Sequence, residues 1–89
     1  MNQVGLFEAV KELLFYEWDP IGVNDNPQCR DEYDGYAPAI MRLLLEDADE
    51  HKILEHLMQC ERVNMGLVQT DDAHDLLVTR QLMNLVQKP

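Results

Sequence analysis

Apolar residues recur three or four positions apart along most of this chain, and that spacing limits the folds open to it. Phe7, Val10, Leu14 and Trp18, for example, fall on one face of a helix. No segment keeps up the alternation of apolar and polar residues that a half-buried strand requires. The spacing therefore predicts an all-α fold, a compact domain of four helices in which the first connection is long.

Turn-forming residues separate the predicted helices. The expected spans are about Val4 to Glu17, from between Tyr33 and Tyr36 to Glu46, Glu50 to Asn64, and from a cap at Thr70 or Asp71 to Gln87. Pro20 ends the first helix, because its ring disfavours helical geometry at Asp19 and it has no N–H to donate. Asp49 is a plausible cap for the third helix, and Gly66 after it is free to take the left-handed conformation.

The connector from Asp19 to about Glu32 is rich in Gly, Pro, Asn and Asp, and it is long for so small a domain. Asp31, Glu32 and Asp34 then cluster at the start of the second helix, where acids suit the free N–H groups and the helix dipole. We expect Asp34 to cap this helix. Pro38 is expected in its first turn, because a proline further along would kink the helix.

The net charge of the chain limits the classes of partner that it is expected to bind. The chain has 89 residues, enough for one domain spanning residues 1–89, and 17 acids against 7 bases give a formal net charge of −10. Such a charge disfavours nucleic acid and anionic membranes, which both attract basic surfaces. It favours a basic protein partner, because complementary charge speeds encounter and sharpens specificity.

Residue types that usually carry catalysis or bind metals do not fall into a recognised spacing. The connector lacks the order of acids and glycine of an EF-hand loop, and His51 and His56 turn to different sides of the third helix. The segment Asp71–Asp75 contains His74 and could bind a cation weakly, but capping and solvation explain it better. The chain has no serine and no glycine-rich phosphate loop. We therefore expect no enzyme, no metal site and no cofactor.

The compartment is predicted from what the sequence lacks. The N-terminus shows no basic region followed by an apolar stretch, and no apolar run approaches the roughly 20 residues that span a bilayer. We expect a cytoplasmic protein whose two cysteines, Cys29 and Cys60, stay reduced. Cys60 lies at core spacing on the third helix and is expected to be buried.

Four short stretches of the chain resemble a family of small bacterial helical proteins. They are WDPIGV at Trp18–Val23, DEYDGYAP at Asp31–Pro38, Leu43-Leu44, and MGL at Met65–Leu67. The family's pattern is similar to WDPIGV…DEYDxYxPxIxxLL…MGL, and the resemblance covers about Leu14 to Leu67. Members of this family resemble immunity proteins that accompany secreted bacterial toxins, including those of contact-dependent and type VI systems.

The resemblance implies a protein that binds a toxin stoichiometrically and needs no cofactor. Its partner is expected to be a basic toxin domain, whose cleft for nucleic acid or for a nucleotide cofactor an acidic surface can occlude. Asp47 departs from the family's pattern, which tends to carry Gly after the second helix, and this changes the expected turn geometry. The alternative is an acidic helical adaptor or regulatory module without a toxin partner.

The motif residues are expected to form scaffold rather than the binding face. They are Trp18, Asp19, Pro20, Asp31, Glu32, Tyr33, Asp34, Tyr36 and Pro38. The aromatic members would pack under the connector with their polar tips hydrogen-bonded, although one of them, set among acids, could instead anchor a partner. The partner-binding acids are expected at exposed positions outside the motif: Asp25, Glu46, Asp47, Asp49, Glu50, Asp71, Asp72 and Asp75.

Overall fold

Four α-helices form the frame of the protein in a computed structural model that describes residues 2–86. They are α1 (Gln3–Leu13), α2 (Ala37–Leu45), α3 (Glu50–Gln59) and α4 (Asp72–Asn84). Residues 2–86 contain no strand, so the all-α, four-helix prediction is confirmed. The predicted end of the fourth helix, Gln87, lies outside the described residues.

Both α1 and α3 continue into a single π turn. These turns span Leu14–Trp18 and Cys60–Asn64, and each ends on a bond to the residue five positions back. The N–H of Asp19 donates to the carbonyl of Leu14 at 3.0 Å, and the N–H of Met65 donates to that of Cys60 at the same distance. The helical paths therefore reach about as far as the sequence predicts, but their last turns are wider than α-helical turns.

The core lies where the apolar stripes of the four helices meet. α3 packs most extensively on α4, and α1 packs on α2. The fully buried or nearly buried apolar side chains include Val10, Leu14, Trp18, Ile40, Ile53, Leu57, Val78 and Leu82. Cys60 is buried among them, as its spacing predicts. The periodic stripes thus form one continuous core, which fixes the position of the helix ends.

The connector is held down by one carboxylate and two aromatic rings. Asp19 has a left-handed backbone, with φ of 36°, and its carboxylate accepts hydrogen bonds from the N–H groups of Val23 at 2.8 Å and Asn24 at 3.1 Å. The hydroxyl of Tyr33 donates to the same carboxylate at 2.7 Å and accepts from the N–H of Ile21 at 3.2 Å. The Tyr33 ring lies 5.4 Å from that of Trp18. These contacts give Trp18, Asp19 and Tyr33 a structural role.

The start of the second helix differs from the expectation. A 3-10 turn over Asp34–Tyr36 precedes α2, and Tyr33 and Tyr36 occupy the cap positions of the two elements. The prediction that Asp34 caps this helix is wrong, because the backbone bonds of the 3-10 turn take the place of a side-chain cap. Pro38 lies in the first turn of α2 as expected, where its missing N–H leaves no bond unmade.

The second helix ends at a residue in the left-handed conformation, Asp47. Asp47 has φ of 61°, the left-handed conformation that Gly adopts most easily. The N–H of Ala48 donates to the carbonyl of Leu43 at 3.0 Å, and that of Asp47 donates to Leu44 at 3.2 Å, which is a Schellman motif. Asp49 then caps α3, as predicted, by accepting from the N–H of Lys52 at 2.8 Å. Asp is one of the few other residues that tolerate the left-handed position.

The remaining helix ends follow local chemistry. Gly66 adopts the predicted left-handed conformation, with φ of 70°. Of the two candidate caps for α4, Asp71 fills the position and accepts from the N–H of His74 at 3.1 Å. Between residues 2 and 86, the helices are each too short or too polar to cross a membrane.

Candidate functional site

The acids predicted to bind a partner are divided between two ends of the molecule. Arg80, near the end of α4, pairs with Glu50 at the start of α3 at 3.3 Å, so these two helices run antiparallel. The start of α4, with Asp71 and Asp72, consequently lies at the opposite end from Glu50. Asp25 is exposed in the connector.

The first group of acids forms what we call the acidic turn, residues 46–50. Glu46, Asp47 and Asp49 are exposed, and Glu50 is half-buried. Two of the four acids bond groups of α3 and α4: Asp49 caps α3, and Glu50 pairs with Arg80 of α4. Glu46 lies 3.8 Å from Arg42 in an exposed ion pair. Asp47 extends its charge into solvent from the left-handed position. The turn is therefore a locally negative surface held on a defined backbone.

An apolar groove, here the α1–α2 groove, lies beside the acidic turn. It has a volume of about 350 Å³ and is lined by Phe7, Pro38, Met41, Arg42, Leu45 and Glu46. Leu45 is 52% exposed at the rim of this groove. The sequence did carry a signal for it, because Pro38, Met41 and Leu45 recur at helical spacing on a second face of α2.

Asp75 is not part of an exposed acidic surface, so that expectation is wrong. Only 2% of the residue is accessible. It lies three, four and seven positions before Val78, Thr79 and Leu82, which are all buried, so it shares the face of α4 that packs on the core. Asp71 and Asp72 are exposed, as expected. The apolar periodicity of α4, rather than the charge of Asp75, indicated correctly that this residue is buried.

The buried carboxylate of Asp75 meets a second one, Glu61, in the π turn that follows α3. Glu61 is 3% exposed, and it follows Ile53 and Leu57 at intervals of four. The indole N–H of Trp18, in the other π turn, donates to Glu61 Oε1 at 3.0 Å. The two π turns thus bring a tryptophan and a glutamate together across the core, 43 positions apart in the chain. Sequence reasoning missed Glu61, although its spacing marked it as inward-facing.

The surroundings of Glu61 favour its protonated form. Burial first, and then the hydrogen bond with the Asp75 carboxyl group, raises the pKa of Glu61 to about 8, while the bond from the Trp18 indole acts in the opposite direction. Two adjacent carboxyl groups cannot both ionise at low cost when they are out of water. Among residues 2–86, Asp75 Oδ2 has no hydrogen-bond partner. At neutral pH Glu61 therefore holds its proton.

A small pocket opens beside this pair, and we call it the carboxylate pocket. It has a volume of about 270 Å³, and its lining includes Trp18, Asp19, Glu61, Asp71, His74 and Asp75. His74 closes one side, since its Nε2 lies 2.6 Å from the carbonyl oxygen of Glu17 and 3.2 Å from that of Trp18. Because a carbonyl oxygen only accepts, Nε2 carries the hydrogen. His74 thus ties α4 to the end of the first helix and is not simply solvated.

His51, His56 and Cys60 make local side-chain contacts. His51 pairs with Glu55 at 3.2 Å on the exposed side of α3. Cys60 Sγ lies 3.6 Å from His56 Nε2, but burial raises the pKa of the thiol to about 11 and lowers that of the imidazole. At neutral pH the thiol stays protonated and is a poor nucleophile. In the part of the chain that the structure describes, no cluster of three or more His, Cys, Asp or Glu side chains is arranged to hold a metal ion.

Comparison with known proteins adds no relative. No protein-family model matches the chain, and neither curated proteins nor solved structures give a significant match. Any function is therefore argued from the two surfaces described above and from the motif resemblance.

Proposed function

We propose that this protein is an immunity protein that binds a basic bacterial toxin domain in a one-to-one complex and blocks its active site. The observation that carries the proposal is the acidic turn beside the α1–α2 groove. Protein interfaces typically combine a desolvated apolar centre with a polar rim. Here the apolar groove supplies the centre, and the exposed carboxylates of Glu46, Asp47 and Asp49 supply the rim.

The groove offers anchors of the kind that stabilise a complex. Leu45 and Met41 on α2 face Phe7 on α1, and Val4, one turn earlier on α1, is 74% exposed. A partner side chain that fills the groove removes this apolar surface from water, and each Å² contributes roughly 25 cal/mol. We expect the groove to determine mainly the dissociation rate, because packed contacts are lost only when the complex separates.

The acidic turn has a different role in the same complex. Exposed charges at the rim of an interface act mainly on the association rate, and salt screens their effect. The net charge of −10 extends this attraction over the whole protein. A toxin that acts on nucleic acid or on a nucleotide cofactor has a basic cleft, and an acidic surface fits such a cleft. The resemblance of the WDPIGV and DEYDGYAP segments to immunity proteins supports this class of partner.

The test begins with the gene next to this one. We expect it to encode a large secreted protein whose C-terminal domain co-purifies with this chain and kills cells unless this chain is co-expressed. If that domain neither binds nor is neutralised, the proposal is wrong. Stable binding to a protein without toxicity would instead favour the adaptor or regulatory role.

Matched variants then locate the interface. Glu46→Gln with Asp47→Asn removes two charges from the acidic turn, and Asp71→Asn with Asp72→Asn removes two from the other end. Asn suits the left-handed position of Asp47 and the cap position of Asp71, so both variants should fold. We expect only the first to slow association, by roughly threefold to tenfold at low salt, and to reduce its salt dependence.

A second matched pair tests the groove. Leu45→Ala should speed dissociation by about tenfold or more, whereas Leu77→Ala on α4 should leave it unchanged. Leu45 and Leu77 are 52% and 54% exposed, so the two variants remove nearly the same amount of exposed apolar surface. Equal effects of the two leucine variants would contradict the placement of the interface.

A further inference from the structure

The carboxylate pocket lies at the other end of the molecule from the acidic turn, and the scaffold alone does not explain it. Its described lining contains the four acids Asp19, Glu61, Asp71 and Asp75, one histidine, and neither lysine nor arginine. At about 270 Å³ it lies just below the range of roughly 300–1,000 Å³ that holds drug-sized ligands. The pocket therefore suits one small cationic group.

The pair inside the pocket has an unmet need for a donor. Asp75 is 2% exposed, and its Oδ2 atom has no hydrogen-bond partner among residues 2–86. A buried carboxylate is costly unless a hydrogen bond or a positive charge compensates it. An entering cation would give both carboxylates a partner.

We propose that the carboxylate pocket binds a single alkylguanidinium group, which pairs with Glu61 and Asp75. A guanidinium is planar and presents several N–H donors in a fork, which allows it to bond two neighbouring carboxylates at once. It is also more weakly hydrated than an ammonium, so its transfer from water to a partly buried site costs less. A metal ion is a poorer occupant, because the described residues offer no set of three or more side-chain ligands.

Binding is coupled to release of a proton. Glu61 is protonated in the free protein at neutral pH, whereas a guanidinium that bonds both carboxylates needs both of them ionised. Glu61 therefore releases its proton to solvent when the pocket fills, and the filled site keeps a net charge of −1. Since the pKa of Glu61 is about 8 in the free protein, this release is nearly complete below pH 8 and disappears above it. The other charged or titratable groups around Glu61 are Asp19, Asp71, Asp72, His74 and Asp75, with Cys60 and Arg62 adjacent in the chain.

The same chemistry has two sources, an arginine side chain of a protein and a free small guanidinium compound. Calorimetry of the whole chain with ethylguanidinium and with acetyl-glycyl-arginyl-glycine amide separates them. Peptide binding at least about tenfold tighter than ethylguanidinium binding assigns the pocket to a protein's arginine, and similar affinities assign it to a small molecule. The citrulline peptide, which is uncharged, and the lysine peptide serve as controls and should bind much more weakly.

The expected result is saturable binding whose affinity rises by about tenfold for each unit by which the pH increases towards 8. Calorimetry in buffers of different ionisation heat should show the release of one proton. Glu61→Gln and Asp75→Asn should weaken binding and remove the pH dependence, while Glu55→Gln, at an exposed position of α3 outside the pocket, should leave the affinity unchanged. The single tryptophan, Trp18, lines the pocket, so its emission reports binding in the unaltered protein even if a variant fails to fold.

Absence of binding by both guanidinium probes at about 10 mM, or binding without proton release near neutral pH, would overturn the assignment. Neither probe needs a toxin partner. Failure of this site therefore leaves the interface at the acidic turn intact, and loss of toxin binding leaves this site intact.

Discussion

Glu61 is the residue whose protonation depends most on the fold. Its pKa is raised from 4.5 to about 8, first by burial and then by the hydrogen bond with Asp75. Between these two values the folded protein holds a proton that the unfolded chain has released. Because the folded state then binds more protons than the unfolded state, this group contributes most stability below about pH 4.5 and progressively less as the pH rises towards 8.

Glu61→Gln should remove this dependence. The amide keeps an oxygen for the indole of Trp18 and a donor for Asp75, and it cannot ionise. We expect the variant to be more stable than the unaltered protein near pH 9, by about 1 kcal/mol or more, with little difference near pH 5. Urea unfolding at the two pH values measures the difference in the free energy of unfolding between the variant and the unaltered protein. Glu55→Gln, at an exposed position of α3, is the control, and a variant curve parallel to that of the unaltered protein would contradict the buried pair.

Tyr33 is the residue that joins the connector to the core. Its hydroxyl bonds Asp19 and Ile21, and burial strongly raises its pKa. Tyr33→Phe keeps the ring against Trp18 but leaves these groups short of a partner, so we expect a loss of about 1–3 kcal/mol. Faster hydrogen exchange at the Ile21 amide would accompany it. Tyr16→Phe, on a half-exposed ring, should change neither quantity, and an unaffected Tyr33→Phe protein would show that the connector is held by packing alone.

Residue-level predictions from the sequence succeeded where apolar spacing decided the outcome. Cys60 is buried because it lies on the apolar stripe of α3. The prediction that Asp75 is exposed because it is charged was wrong, since its position on the core face of α4 outweighed its charge. The partner that makes this burial possible, Glu61, comes from another element, and no local pattern states which two carboxylates will meet.

At the scale of elements, local chemistry decided the helix ends that were predicted correctly. Asp49, Asp71 and Gly66 act through bonds or torsion angles within a few residues, so their roles are readable from sequence. The 3-10 turn before α2 and the π turns after α1 and α3 were not predicted. The two π turns hold Trp18 and Glu61, whose side chains bond each other across the core. That contact depends on packing between distant segments of the chain.

The turn between α2 and α3 gives a prediction at this scale. Asp47→Gly places Gly at a position whose φ is 61°. Relief of the left-handed strain should exceed the added entropy of the unfolded chain, and we expect a gain of about 0.5–1 kcal/mol. Asp47→Asn, which tolerates the same conformation, should be nearly neutral. Thermal unfolding distinguishes them, and a destabilised Gly variant would mean that the Asp47 side chain itself supports the turn.

At the scale of the whole molecule, the total charge was readable from sequence but its arrangement was not. The seven bases are too few to neutralise the acids, and three of the arginines are drawn into pairs with Glu12, Glu46 and Glu50. The exposed acids of the acidic turn and those at the start of α4, Asp71 and Asp72, lie at opposite ends. That separation depends on the antiparallel packing of α3 and α4, which brings Arg80 to Glu50.

A net charge of −10 on a body of 35 × 28 × 19 Å predicts how stability responds to salt. In about 10 mM salt the screening length is near 30 Å, so acids at both ends repel one another; in about 100 mM it is near 10 Å, and only neighbours interact. Added salt should therefore stabilise the fold, by up to about 1 kcal/mol. Urea midpoints at the two salt concentrations measure the effect.

The same two charge variants that locate the interface test the cause of this response. Glu46→Gln with Asp47→Asn and Asp71→Asn with Asp72→Asn each remove two negative charges from one end. Long-range repulsion predicts that both raise stability at low salt by similar amounts, and that the gain shrinks at high salt because screening already removes the repulsion. If instead the few surface ion pairs dominated, salt would destabilise the protein, and the Glu46 variant alone would lose stability with its Arg42 partner.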